Sequence, residues 1–343
     1  METYKRAALR AGRGFLPGII ALILFLCLPM GMSRFQTGLI AKFMVFALVG
    51  ISYDLIWGFA GISNFGHAVF FGLGAYGFGL TLKYLSVPGA TYLAFLAAIL
   101  LPMAVGIFLS LFLHHGKVSG VFFSVVTMCL GVVFESIASA WTDVTGGMNG
   151  LYGFDTPKLG IPGICELEIK GFQIPYYLIL TVLTVILLVL WNIMKRRNFG
   201  KVIAALKNDE NRLAFLGCNV NMLKTVIFAI SCGIAGLAGA LYAPVSTISP
   251  SVLGISMSIQ ILVWVAVGGR GSLWGPIVGA LLVSTMEQLL SGILLNFWLL
   301  IIGLFFILVV MFWPEGFAGL LTKGLAAVKA EKAEGDGANA SGN

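Results

Sequence analysis

Charged side chains are scarce in this sequence. They make up 10% of its 343 residues, and histidine occurs only three times. Water-soluble domains carry about 25% charged residues to cover their surface, so the scarcity excludes a soluble fold. With 59% hydrophobic residues, it excludes intrinsic disorder as well. Chemical motifs are missing too. No G-x-x-x-x-G-K-[S/T] segment is present to cradle nucleotide phosphates, and no H-E-x-x-H to hold zinc. No G-x-S-x-G or Ser-His-Asp arrangement offers a nucleophile. The five cysteines (Cys27, Cys129, Cys165, Cys218, Cys232) contain no Cys-x-x-Cys pair, which leaves no metal or redox reading for them. Three of them fall inside apolar runs. His114 and His115 would point about 100° apart on a helix and read as a headgroup-level pair rather than metal ligands. No catalytic set, metal site or bound cofactor is expected in this chain.

Apolar length is abundant. A helix crossing the hydrocarbon core needs about 20 mostly apolar residues. Ten stretches qualify, at roughly 15–33, 38–57, 67–87, 91–113, 118–141, 174–194, 225–243, 255–269, 274–295 and 297–313. The fold class is therefore an all-α polytopic membrane protein of about ten spans. Between the second and third, residues 58–66 (Gly58, Gly61, Ser63, Asn64, Gly66) are too polar and glycine-rich for a regular helix. They read as a re-entrant turn, whose backbone must be satisfied by protein or water. The first span follows Lys5, Arg6, Arg10 and Arg13 but ends without a small-x-small cleavage site, so it reads as a retained helix.

Basic residues orient these spans. With the N-terminus cytoplasmic, sixteen Lys and Arg fall inside and five outside, as the positive-inside rule requires. Seven lie in 195–224: Lys195, Arg196, Arg197, Lys201, Lys207, Arg212 and Lys224. The net charge of +7 is thus read as contact with anionic lipid headgroups rather than nucleic acid. Residues 1–14 form a cytoplasmic lead, 15–313 the transmembrane domain, and 314–343 a cytoplasmic tail that is Ala/Lys/Glu/Gly-rich and largely disordered.

Two polar segments stand out. Residues 142–173 lie outside and carry Asp143, Asp155, Glu166 and Glu168. Within them Leu167–Ile174 alternates around Lys170-Gly171, which suggests a small hairpin. Residues 195–224 lie inside and read as an amphipathic helix, with Ala204, Ala205, Leu213, Ala214 and Leu216 apolar and Gly217 as its stop.

Glycine accounts for 44 residues and clusters at four-residue spacing, as in Gly271, Gly275 and Gly279. Such stripes let helix backbones approach closely in lipid. Asp54, Glu135 and Glu287 lie within spans, where each charge costs about 2.5–3.5 kcal/mol on insertion scales. Asp54, near a cytoplasmic helix end, has headgroups in reach, and Glu135 can snorkel. Glu287 lies deepest, with a structural hydrogen bond and a transport role equally open.

The segment Ser63-Asn64-Phe65-Gly66-His67 through Gly72-Leu73-Gly74-Ala75-Tyr76 resembles membrane permease subunits of ABC importers for branched-chain and other hydrophobic amino acids, in their second-permease type. The resemblance continues at Thr145–Leu151, Phe199–Lys201, Glu210–Gly217, Ala235–Tyr242 and Gly268–Gly275, in the family's order and over about residues 40–315. It implies an ABC importer permease architecture with no enzyme activity of its own. It also implies a second permease subunit as heterodimer partner, two ATP-binding subunits carrying ATP and Mg, and a periplasmic or extracellular substrate-binding protein. The setting it implies is the bacterial plasma (inner) membrane. The family's ATPase-docking loop maps here onto Glu210, Ala214 and Gly217, the glycine coming one residue early. Val265–Gly271 is closer to the urea and short-chain amide branch, so amino acids and small amides both remain as cargo, with amino acids favoured. A self-sufficient channel or secondary carrier would instead need midplane carboxylates, for which Glu287 is the one good candidate. No row of fixed charges suits an inorganic ion. The expected path is mostly apolar and glycine-lined, with Ser63, Asn64, His67, Gly72 and Glu287 as its candidates. Asp155, Glu166 and Glu168 are the expected docking acids for the binding protein.

Overall fold

The computed structural model describes residues 22–319 apart from 86, 117, 119, 162–164, 170, 197, 294–297, 313–315 and 318. The described residues begin with α1 (Leu22–Gly31) and α2 (Arg34–Asp54). A capping box starts α2: Gln36 N–H donates to Ser33 Oγ at 3.3 Å, and Ser33 N–H donates to Gln36 Oε1 at 3.1 Å. A π-helical turn (Leu55–Phe59) leads out of it. Then come α3 (Ala68–Tyr84), α4 (Ala90–His115), α5 (Val121–Ala140) and the single turn α6 (Thr142–Thr145). Strands β1 (Lys158–Ile161) and β2 (Cys165–Glu168) precede α7 (Gln173–Arg196). The rest comprises α8 (Asn198–Asn208), α9 (Glu210–Phe215), α10 (Val220–Tyr242), α11 (Ile255–Gly268), α12 (Gly275–Ile293) and α13 (Trp298–Phe312).

Five helical segments among the described residues are long and apolar enough to cross a membrane: Arg34–Phe59, Ala90–His114, Val121–Ala140, Gln173–Met194 and Val220–Tyr242. A helix overlaps each of the ten apolar stretches, the first of which starts outside the described residues. Burial sorts the five into centre and rim. The apolar windows of α2 and α10 are 83% and 78% buried, against 33%, 28% and 22% for α4, α5 and α7. The first two form the core. The other three present apolar faces outward, as helices in lipid do.

Glycine makes the central crossings. A Cβ on Gly74 of α3 would collide with the Gly236 backbone of α10, and one on Gly236 with the Ala98 carbonyl of α4. One on Gly239 would strike the Phe71 carbonyl. At the other crossing, a Cβ on Gly279 of α12 would strike the Trp264 carbonyl of α11, and one on Gly268 the Gly275 carbonyl. Lipid offers no hydrophobic drive for helix association, so backbone-to-backbone contact of this kind supplies much of it.

Two local expectations are corrected. The hairpin pairs β1 with β2, with Lys158 opposite Glu168 and Ile161 opposite Cys165. Its connection therefore passes through residues 162–164, outside the described residues, and not through Lys170-Gly171. The segment assigned to the second arm belongs to α7, whose long apolar pattern begins at Gln173. Likewise, 195–224 does not hold one amphipathic helix. Asp209 leaves the helical region (φ −160°), and its carboxylate accepts from Asn211 N–H and Arg212 N–H at 3.0 and 3.1 Å. It ends α8 and caps α9, because an aspartate side chain competes for backbone donors. Ile203, Leu206 and Leu213 are the buried positions here, whereas Ala204, Ala214 and Leu216 are exposed. Gly217 does end the segment: it sits at φ +85°, and Cys218 N–H donates to Leu213 O at 3.3 Å. The tail from Ala326 lies outside the described residues.

Candidate functional site

Three separated parts of the chain meet at the C-terminal end of α2. The Asp54 carboxylate, 2% exposed, accepts from Gly271 N–H in the α11–α12 loop, at 2.8 and 3.1 Å to its two oxygens. One turn on, Gly58 O accepts from Lys207 Nζ of α8 at 2.6 Å. Arg270 stacks its guanidinium over the Trp57 ring at 4.6 Å. Only glycine fits at position 58, since a Cβ there would collide with the Asp54 carboxylate. The π turn rotates the backbone so that the Gly58 carbonyl faces α8, and π turns recur at functional sites. Asp54 thus gains a backbone donor and two nearby cations, which offsets its burial. The result is a joint tying the amphipathic pair α8–α9 to the core helices α2, α11 and α12.

Asn64 and His67 are packed beside this joint, whereas Ser63 lines the cavity facing α8–α9. His67 is fully buried and Asn64 is 1% exposed. Asn64 Oδ1 accepts from Gly66 N–H at 3.0 Å, which turns the amide NH2 toward His67 Nδ1 at 3.4 Å. His67 Nε2–H then donates to Ser52 Oγ at 2.8 Å, and Ser52 O–H donates to Val49 O at 2.6 Å. That chain of donors requires a neutral imidazole. Ser63 O accepts from Ser124 Oγ at 3.1 Å, and Phe65 N–H donates to Thr127 Oγ1 at 3.2 Å. Two groups of the irregular backbone are therefore satisfied by α5. Gly72 is covered by Leu253. Among the five path candidates, Ser63 and Glu287 retain partial exposure, while Asn64, His67 and Gly72 are buried between helices.

His67→Ala is expected to leave the Ser52 hydroxyl and the Asn64 amide short of a partner, at about 1–3 kcal/mol for each orphaned group. A lower melting temperature in detergent is the measurable result; an unchanged one would remove this packing role.

The docking candidates are spread out. Glu210 is turned back onto α10, where its carboxylate pairs with Lys224. Ala214 is exposed, and Gly217 forms the left-handed stop. Phe215 and Leu216, which the sequence reading placed as a buried face or passed over, are 91% and 80% exposed. A cavity of about 440 Å³ separates this segment from the turn, lined by Gly61, Ser63, His114, Lys207, Asp209 and Lys224 among others. His114 itself is buried at the C-terminal end of α4, with Nδ1 at 2.8 Å from Ser110 O and 3.0 Å from Ser110 Oγ.

In the 142–173 segment, Glu168 lies 3.7 Å from Lys158 across the hairpin. Asp155 is exposed ahead of β1, and Glu166 faces Gly160 in the strand register. The glycines of Thr145–Leu151 take left-handed turns at Gly146, Gly147 and Gly150, which lets Leu151 bridge to Ile248. Glu135 packs its carboxylate against Gly254 at the start of α11. Glu287 Oε1 accepts from Gln260 Nε2 at 3.4 Å.

Sequence reasoning missed Lys207, Trp57 and Gly271 as residues of this joint. The signal was present: a buried Asp54 needs a donor, and the glycine-rich loop around Arg270 offers both amides and a cation. Among the described residues no cluster of His, Cys, Asp and Glu could hold a metal ion.

A family model described as branched-chain amino acid transport system, permease component, matches residues 36–310. The chain is 26% identical to the high-affinity branched-chain amino acid transport system permease protein LivM of Escherichia coli K12, over 87% of this chain and 73% of that protein. It is 25% identical to LivM of Salmonella typhimurium, over 92% of this chain and 77% of that protein. The ribose import permease protein RbsC of Haemophilus influenzae is 26% identical, over 51% of this chain and 53% of its own. No solved structure matches the chain.

Proposed function

The chain belongs to the branched-chain amino acid transport system permease components, and from that membership we infer that it is the permease subunit of an ABC importer for branched-chain amino acids. The carrying observation is the family match across residues 36–310, which takes in every helix from α3 to α12. The LivM likenesses run along most of both chains, whereas the sugar-permease likeness stops at about half. That contrast favours amino acids over sugars as cargo.

In the finer reading, ten spans keep both termini cytoplasmic in a bacterial inner membrane, with 195–224 on the same side. The chain hydrolyses nothing. Two ATP-binding subunits supply the energy, a second permease completes the pathway, and a binding protein delivers the substrate to the side that carries the hairpin. Exposed Phe215 and Leu216 support ATPase docking at α9: two large apolar side chains in water beside charged Arg212 suit a partner surface. The Asp54–Gly271 and Lys207–Gly58 bonds then carry movement of α8–α9 into the core.

Reconstitution tests this. Proteoliposomes holding the purified chain alone should take up no leucine. Adding the second permease, both ATPase subunits, ATP and the binding protein should start uptake, and Phe215→Asp with Leu216→Asp should release the ATPase. Robust uptake by the chain alone, without ATP, would overturn the reading.

A further inference from the structure

Away from the coupling joint, the spans hold a second group of polar residues around the path candidate Glu287. Lys42 precedes Asp54 by twelve residues on α2, and Glu287 follows Gly275 by twelve on α12. From the contact of Gly50 on α2 with Pro276 on α12, Lys42 lies eight residues along its helix and Glu287 eleven along its own, about 12 and 17 Å at 1.5 Å per residue, a difference of under one turn that the two long side chains can span. Gln260 joins them from α11, with Nε2 at 3.4 Å from Glu287 Oε1. Lys42 is close enough for its charge to act on Glu287, yet among the described residues no ion pair joins them. The ammonium instead rests over the rings of Phe46, at 5.6 Å to the centroid, and Tyr242, at 5.8 Å. All three residues remain partly exposed.

This arrangement is costly as packing. Each charge within a span costs about 2.5–3.5 kcal/mol, and the two would offset one another best by closing into a pair. They are instead held apart. Glu287 is fixed by one long amide contact and Lys42 by aromatic faces, which attract a cation without neutralising it. The group therefore presents one separated charge of each sign, with the Phe46 and Tyr242 rings as its apolar neighbours. A zwitterionic amino acid carries the complementary set: an ammonium, a carboxylate and an apolar side chain.

We propose that Lys42, Gln260 and Glu287 form a transit station on the translocation pathway, where the ammonium of the passing amino acid meets Glu287 and its carboxylate meets Lys42. Gln260 holds the Glu287 carboxylate and offers its own amide oxygen to the same ammonium. The contacts are few, so the station admits amino acids as a chemical class and releases them quickly. It also explains why these polar groups occupy outward faces of α11 and α12: that face meets water and substrate rather than lipid. The proposal rests on the amino acid transport reading above.

The test uses the whole reconstituted importer with its native cysteines replaced. Gln260→Cys and Glu287→Cys should be labelled by a charged, membrane-impermeant methanethiosulfonate reagent, and saturating leucine-loaded binding protein with ATP should slow that labelling. Thr285→Cys, exposed two residues away on another face of α12, should stay unlabelled. In parallel, Glu287→Gln and Lys42→Gln should each lower maximal leucine uptake at least tenfold. Complex yield and the KM for loaded binding protein should not change. The double variant Lys42→Met with Glu287→Leu separates transit from packing, and it should keep the parent's melting temperature while remaining inactive. Absence of labelling at both 260 and 287 in every nucleotide state, or full uptake by the double variant, overturns the station. Leucine uptake by the parent complex is read in the same experiment, so failure of the transport reading itself would be seen separately.

Discussion

Valine in place of Gly236 is expected to abolish the folded chain. Gly236 stands where α10 passes between α3 and α4, and both neighbours touch its backbone. A Cβ at this position would collide with the Ala98 carbonyl and the Pro102 ring of α4, and from the other side Gly74 is already pressed onto the Gly236 backbone. A carbonyl has no rotamer with which to yield, unlike a flexible side chain. The helices would have to separate along their length, breaking the neighbouring contact of Gly239 with Phe71 and Ala75 as well. Ordinary overpacking costs about 1–3 kcal/mol because side chains adjust; here the adjustment must come from the two most central crossings. The expected result is loss of a monodisperse peak after detergent extraction and a yield at least tenfold lower. Gly77→Ala is the control, because a Cβ there meets only Leu101 and Ala97 at ordinary distances of 3.5 Å and beyond. Wild-type yield and melting temperature for Gly236→Val would show that α10 does not sit where the structure puts it.

These crossings were legible in advance because the bilayer imposes them. Lipid forces each span to be long and apolar, and forces tightly crossing helices to be small at the contact, so both features appear as local patterns. Gly275 and Gly279 read as part of a packing stripe without any partner in view, and both lie against α11. The coupling joint is of another kind. Asp54, Gly58, Lys207 and Gly271 are joined across 149 to 217 residues of chain, and no periodicity links them. Burial of an acid announces that a partner exists, not which one. His67 misled for a related reason. A buried polar group in a membrane protein must be satisfied whether it serves transport or merely holds a loop, and the sequence around it is the same in both cases. Only the donor chain from Asn64 through His67 to Ser52 and Val49 distinguishes them. The hairpin register was lost to a neighbour. The alternation of residues 167–174 is genuine, but the apolar helix starting at Gln173 takes up its second half, and Lys158 opposite Glu168 gives the pairing a charge match. The break at Asp209 shows the same competition on a smaller scale, with one carboxylate capturing two backbone donors and dividing a helix that the hydrophobic pattern alone would run through.

Removing the Asp54 carboxylate is expected to separate ATP hydrolysis from uptake. On the proposed reading, in which α8–α9 follows the ATPase, that pair acts on the core only through bonds that survive the movement. Lys207 grips the Gly58 carbonyl, and Asp54 carries that grip on to the α11–α12 loop through Gly271 N–H. Asp54→Ala leaves that N–H without its acceptor and deprives Lys207 and Arg270 of the nearby anion. A hydrogen bond to a charged group contributes about 1.5–3 kcal/mol, or roughly one to two powers of ten in the population of the linked arrangement at about 1.4 kcal/mol per tenfold. Leucine uptake should fall by about that factor while ATP hydrolysis continues and the complex still co-purifies. Asp54→Asn keeps a carbonyl acceptor for Gly271 and should recover part of the loss. Lys207→Met, which leaves the Asp54 bond intact, should show a milder defect of the same type. The ordering is the decisive reading, since a merely destabilised protein would lose hydrolysis, uptake and complex yield together. Asp54→Ala with undiminished uptake per ATP would show that force reaches the core by another route.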